Sequence, residues 1–275
     1  MAKFVGAFAA SHAPLIARDW EKLPEASRAI ITDDFSELGR RLTATKPDVL
    51  IELSPDHWTN FFLDNLPSVC IGVGEEHEGP PEPFMKSFPW RPVPGDAALA
   101  QHIARYALAH DFEPSISHHL TLDHGFCIPL AKMELQHLPR IVPIVINDLE
   151  PPMLSVRRCL AWGKFLARAI AAYPDKDLRV AILATGGLSH SIGESTMGAI
   201  DERFDRDCID AFARGEEAPL VDLLDARMEA AGNGTHEVRN WVIAHGAAGS
   251  RGFDLIDYRV MPEVYVGCGW ASWSA

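Results

Sequence analysis

The chain has 275 residues, 47% hydrophobic and 23% charged, with a formal net charge of −13. That is ordinary globular composition, long enough for a large core. The acidic balance and the lack of any basic run argue against nucleic acid and anionic membranes as partners, since both demand clustered Lys and Arg.

The first stretch, MAKFVGAFAASHAPLIARDW, resembles a signal peptide only superficially. Its apolar run is about the minimum length for one, and a histidine interrupts it. It reads as a first strand, Phe4–Ala9, whose exit SHAP carries His12. Helical spacing follows over Trp20–Thr45. Val49–Leu53 is a second strand, and it runs into SPDHWTNFF with His57. There Asp56 is a candidate orienter of the imidazole, and Trp58, Phe61 and Phe62 are candidate walls of an aromatic pocket. Val69–Val73 is a third strand. The proline-rich loop Glu78–Pro94 reads as a lid or an interface arm.

Ala97–His110 is helical in pattern. His118 and His119 precede LTLDH and are weaker pocket candidates. In LDHGFCIPL, Asp-His-Gly reads as a loop before an apolar run. His124 there suits a ligand, an acid–base group or a surface position. Ile141–Ile146 is a strand, Leu154–Ala172 a helix and Val180–Thr185 another strand, with the exit TGGLSHS and His190. Its glycines match neither phosphate-loop pattern, and Ser189 lacks the nucleophile-elbow context. Ile200–Arg214 is helical. NGTHEVRNW opens a further helix, with Thr235 as N-cap and Glu237 in the first turn, where the helix dipole favours a carboxylate. His236 would point roughly 100° away around that helix. His102, His110 and His245 fall on helical segments and read as structural or exposed.

Strands alternating with helices predict an α/β fold with a central mostly parallel or mixed sheet flanked by helices, one domain over 1–275. In such sheets, sites lie beyond the carboxyl ends of strands. Three strand exits here each carry a histidine. Capping histidines and a dipole-stabilising glutamate would leave the same marks. A two-histidine-one-carboxylate metal site would too. No run approaches the ~18 apolar residues of a membrane span. Cysteines 70, 127, 159, 208 and 268 are spread out with no CxxC pair, which predicts reduced thiols and a cytoplasmic protein.

SHAP, SPDHWTNFF, LDHGF, TGGLSHS and THEVRNW, in this order, resemble the class III (LigB-type) extradiol ring-cleavage dioxygenases. The similarity extends through YRVMPEVYVGCGWAS. It looks closer to the dihydroxyphenylpropionate branch than to the protocatechuate branch. One departure is the stretch between His190 and Ile200, shorter than in the dihydroxyphenylpropionate enzymes, which bears on substrate identity. The resemblance implies that His12, His57 and Glu237 bind Fe(II), and that His190 and His124 are catalytic acid–base residues. It implies extradiol cleavage of a catechol by O2 to a 2-hydroxymuconic semialdehyde-type product, in aromatic catabolism, by a homo-oligomer. A protocatechuate, gallate or aminophenol enzyme, or a zinc-binding or non-catalytic member of the scaffold, are the competing readings. Arg91, Arg239 and Arg259 are the candidates to meet a substrate carboxylate.

Overall fold

The computed structural model describes residues 1–275. Its strands are β1 Lys3–Ala10, β2 Val49–Ser54, β3 Val69–Gly72, β4 Glu76–His77, β5 Val93–Pro94, β6 Ser115–Ser117, β7 Arg140–Ile146, β8 Arg179–Thr185, β9 Phe253–Met261 and β10 Val266–Trp273. Its α-helices are α1 Leu15–Arg18, α2 Glu25–Ala44, α3 Ala97–Leu108, α4 His124–Lys132, α5 Val156–Ala172, α6 Glu202–Arg214, α7 Glu217–Arg227 and α8 Val238–Ala247.

Eight strands form one mixed sheet in the order β6-β3-β7-β2-β8-β1-β10-β9. At its centre β2 pairs parallel to both β7 and β8, and β8 pairs parallel to β1. These strands need unbroken apolar sequence because helices cover both faces of the sheet. Every residue of β2 is buried. Helices α3, α5, α6, α7 and α8 build the core on one face, and α2 and α4 build it on the other. No helix is long and apolar enough to cross a membrane. The five cysteines are free and buried.

All five expected strands are present, and the α/β class holds. Several local expectations do not. The helix expected over Trp20–Thr45 is split into a 3-10 turn Trp20–Lys22 and α2, because Pro24 precedes α2 and interrupts the backbone ladder. The hairpin β9–β10 was not expected: β10 reads VGCGWASW, small residues rather than a β-branched run, yet it pairs antiparallel with β1. LDHGF is not a loop. His124 is the first residue of α4, whose N-terminus is capped by Asp123 Oδ1 on the Gly125 N–H at 2.8 Å. Helix α4 is buried from His124 through Leu130, so it has no polar stripe to betray its period.

The effect of this topology is to gather chain segments at one sheet end. β1, β8 and β2 are adjacent and parallel, so their exits, carrying His12, His190 and His57, open on the same side.

Candidate active site

The structure brings His12, His57, His124, His190 and Glu237 to the walls of one cavity of about 450 Å³. Such a volume suits a small organic ligand. Glu237 Oε1 lies 3.5 Å from His12 Nε2, 3.5 Å from His57 Nε2 and 3.8 Å from His190 Nε2. The His57 and His124 rings are 4.1 Å apart between centroids. A cavity of about 490 Å³ under the proline-rich arm, beside Trp20 and Lys132, contains none of these groups.

Each imidazole has its outer nitrogen against an oxygen. His12 Nδ1 meets Thr185 Oγ1 at 3.1 Å, and His57 Nδ1 meets Asp123 Oδ2 at 3.2 Å. His124 Nδ1 meets Glu82 Oε1 at 2.7 Å, and His190 Nδ1 meets the Leu188 carbonyl at 2.9 Å. Carbonyl and carboxylate oxygens only accept, so Nδ1 of His57, His124 and His190 is the donor. Their Nε2 atoms therefore carry the lone pair that faces the cavity when the rings are neutral. That is the arrangement by which outer partners orient ligand and acid–base imidazoles.

Glu237 is not in the first turn of a regular α-helix. A 3-10 turn, Asn233–Glu237, leads into α8, and Thr235 does not cap it. Instead Thr235 Oγ1 accepts a hydrogen bond from the His190 N–H at 3.4 Å. The Gly187 N–H donates to Glu237 Oε2 at 2.7 Å and leaves Oε1 for the histidines. Helix α8 is also clamped to the β8 exit: Asn240 Nδ2 donates to the Thr185 carbonyl at 3.0 Å and Trp241 Nε1 to the Gly186 carbonyl at 2.9 Å. Gly186 needs to be glycine. Its φ is +103°, and a Cβ there would lie 2.5 Å from Glu237 Oε2.

Ser189 is buried and fully used. Its N–H and Oγ donate to the Asp205 carboxylate at 2.8 Å each, and Tyr258 OH joins at 2.7 Å. It anchors the loop that carries His190. Gly234 presses on that ring from the other side: a Cβ would fall 2.0 Å from His190 Nε2. Gly234→Ala is expected to fold and to keep the His12–His57–Glu237 cluster intact. It should lose activity to the extent that His190→Ala does, measured as turnover of the metal-loaded proteins side by side.

Burial and charge set the protonation of the cluster. Burial would raise Glu237, but His12, His190 and His57 outweigh it and hold the carboxyl well below its usual range. For His12, burial prevails over Glu237 and lowers its pKa. For His57, burial acts the same way, yet Asp123 and Glu237 together overcome it and push it up to about 10. The difference between the two histidines is the second carboxylate. Asp123 is itself pulled down to about 2, against burial, by His57, His124 and His12. The cluster is thus a buried carboxylate that demands positive charge beside it.

Two donor sets overlap here. His12, His57 and His124 offer nitrogens within 4.8 Å of one another. His12, His57 and Glu237 are tighter around Oε1, at 3.5 Å. A cation held at the ~2.0–2.2 Å typical of imidazole and carboxylate ligands separates adjacent donors by roughly 3–3.6 Å. Both separations from Glu237 Oε1 fit that test, and a bound cation would also neutralise Glu237.

Some expectations fail. Asp56 does not orient His57. It accepts from the N–H groups of Thr59, Asn60 and Phe61 and caps the turn after β2. Asp123 does the orienting, and its Oδ2 also accepts the His57 backbone N–H at 2.8 Å. Of the aromatic walls, Trp58 lines the cavity, Phe61 packs on the core and Phe62 is exposed. His118 and His119 are exposed and line no part of the cavity. His236 pairs with Arg239 and Glu229. Glu82, in the proline-rich arm, was missed; the arm folds against α4 and delivers Glu82 to both the N–H and the ring of His124. Asp123→Asn is expected to keep the α4 cap but lower metal affinity about 10–100-fold, as read by competition with a chromogenic chelator.

The fold and the cluster define an α/β enzyme with a histidine-lined pocket at the carboxyl end of its sheet. The family model for the catalytic LigB subunit of aromatic ring-opening dioxygenase matches residues 6–269, and the chain belongs to that family. It is a ring-opening dioxygenase. Two curated relatives are both named 2,3-dihydroxyphenylpropionate/2,3-dihydroxicinnamic acid 1,2-dioxygenase. The one from Burkholderia vietnamiensis is 27% identical, covering 94% of this chain and 90% of its own. The one from Paraburkholderia phymatum is 29% identical, covering 83% and 85%. The crystal structure of the uncharacterized protein JW3007 of Escherichia coli K12 superposes with a TM-score of 0.62 at 16% identity, covering 98% of this chain and all of that one. That likeness concerns the fold alone.

Proposed function

We propose that the chain is an Fe(II)-dependent extradiol dioxygenase that opens a catechol ring beside its diol, with His12, His57 and Glu237 as the metal ligands. The observation that carries this reading is the convergence of His12 Nε2 and His57 Nε2 on Glu237 Oε1, with His190 and His124 beside them. Two imidazoles and a carboxylate suit ferrous iron and leave coordination positions open. Bound there, iron supplies sites for a chelating diol and for dioxygen and a path for electron density between them.

The protein's own groups handle protons and position. His190 Nε2, with Nδ1–H fixed on the Leu188 carbonyl, takes a proton from a ring hydroxyl as the diol binds. Once protonated, His190 Nε2 would be placed to return that proton within the cavity. His124 is the second proton-transfer group; Glu82 fixes its tautomer and turns Nε2 to the cavity. Leu15, Ile192, Val264 and Val266 supply apolar wall to the cavity. The ring-opened product is a 2-hydroxymuconic semialdehyde-type acid. Free, buried cysteines support a reducing, cytoplasmic setting, and the family supports a role in aromatic ring opening.

The test is anaerobic reconstitution with Fe(II), Mn(II) and Zn(II) in turn, then oxygen uptake on a panel of catechols. Fe(II) alone should support uptake and a yellow product. Tight stoichiometric zinc, with no uptake in any iron-loaded sample, would instead favour a zinc-binding member of the scaffold.

A further inference from the structure

The cavity wall says what kind of ring substituent fits. We propose that the substrate is a catechol whose substituent bears no negative charge. The proposal rests on the ring-cleavage reading and names the substrate class for that same cavity.

Away from the histidine cluster the wall is apolar, built from Ala13, Pro14, Leu15, Leu149, Ile192 and Val264. No lysine or arginine lines it. The further polar side chains are Asn233, Glu150 and the half-exposed Trp58, whose indole N–H is a neutral donor. Asn233 is already used: its Oδ1 accepts from the Ile192 N–H and its Nδ2 donates to the Ile192 carbonyl, both at 2.9 Å. Glu150 is therefore the one ionisable side chain on the wall outside the cluster, an exposed acidic residue at the mouth.

The arginines that might have met a carboxylate are engaged elsewhere. Arg239 is buried on the Leu154 carbonyl, at 2.8 Å, and on His236 Nδ1, also at 2.8 Å. Arg91 donates to the Pro80 and Met85 carbonyls within the proline-rich arm. Arg259 pairs with Asp257 on the surface.

With the diol at the cluster, the remainder of the ring fills the apolar half of the cavity. A carboxylate there would find no lysine or arginine to pair with and would face Glu150. The net charge of −13 adds an unfavourable field on its approach. An alkyl group of equal size packs on the apolar residues and carries no charge to oppose Glu150. The relatives from Burkholderia vietnamiensis and Paraburkholderia phymatum are named for a propionate-bearing catechol. The wall of this cavity offers that carboxylate no lysine or arginine.

The test compares 2,3-dihydroxyphenylpropionate with 3-propylcatechol, which replaces its carboxylate by a methyl group. Binding to the iron-reconstituted protein is measured by anaerobic calorimetry, and kcat/KM by oxygen uptake. The propyl compound should bind at least about tenfold more tightly and show the higher kcat/KM, as for a wall that meets an anion with a like charge and no cation. Glu150→Arg should raise propionate affinity relative to that of the propyl compound about tenfold or more. Equal or tighter propionate binding by the unaltered protein, with both catechols cleaved, overturns the proposal and leaves ring cleavage standing. Failure of the iron-loaded protein to bind or cleave either compound overturns the ring-cleavage reading itself, and this proposal with it.

Discussion

His190→Ala should bind metal as the unaltered protein does and turn over roughly 10²–10⁴-fold more slowly, the usual loss for a proton-transfer group. The separation of the two effects follows from geometry. His190 Nε2 is 3.8 Å from Glu237 Oε1, farther than either His12 or His57, and its Nδ1 is spent on a main-chain carbonyl. It stands beside the ligand cluster rather than within it. Its removal leaves the Asp205–Ser189–Tyr258 anchor of the loop intact, so the fold should survive. Metal content by elemental analysis and kcat by oxygen uptake report the two halves separately. A variant with full metal and near-normal kcat would remove His190 from proton transfer.

Glu237→Ala should lose the metal. The substitution takes away the only carboxylate of the donor set and the negative charge that draws a cation into a buried site. It also orphans the Gly187 N–H, which now donates to Glu237 Oε2. A buried unpaired donor costs about 1–3 kcal/mol, so part of any destabilisation would be structural. Glu237→Gln separates the causes, because its amide oxygen can still accept from Gly187 while the charge is gone. Both variants should elute metal-free from a desalting column under conditions where the unaltered protein keeps its metal. Circular dichroism should show Glu237→Gln folded. Full occupancy in Glu237→Ala would shift the ligand set to His12, His57 and His124, whose nitrogens also lie within reach of one another.

The convergence of the candidate residues on one sheet end was legible before the fold was known, and the reason is topological. His12, His57 and His190 each follow an apolar run that can only be a buried strand. Parallel neighbours then bring their exits together. Glu237 and His124 stood in motifs that the family resemblance carried. What escaped were the outer partners. Asp56 adjoins His57 in sequence and was the natural candidate to orient it. The turn after β2 instead bends the Asp56 carboxylate onto its own backbone N–H groups. Asp123 takes the role, and its position just before His124 at a helix start was the available signal. Glu82 had no local signal, since its proline-rich arm is irregular and reaches His124 only through the tertiary fold. Leu188 contributes a carbonyl, which no side-chain pattern can mark. The arginine candidates failed for a related reason: sequence shows a charge but not the main-chain carbonyls that already occupy it.

Ring opening under oxygen-18 gas tests the central claim most directly. Iron-reconstituted protein is mixed with 3-propylcatechol and labelled dioxygen, and the product is examined at once by visible absorption and mass spectrometry. Extradiol cleavage at the His12–His57–Glu237 site predicts a yellow semialdehyde-type or ketone product carrying label from dioxygen, with the carboxylate oxygen retained after exchange of the carbonyl one. A colourless muconate from cleavage between the hydroxyls, or a product without label, would contradict it.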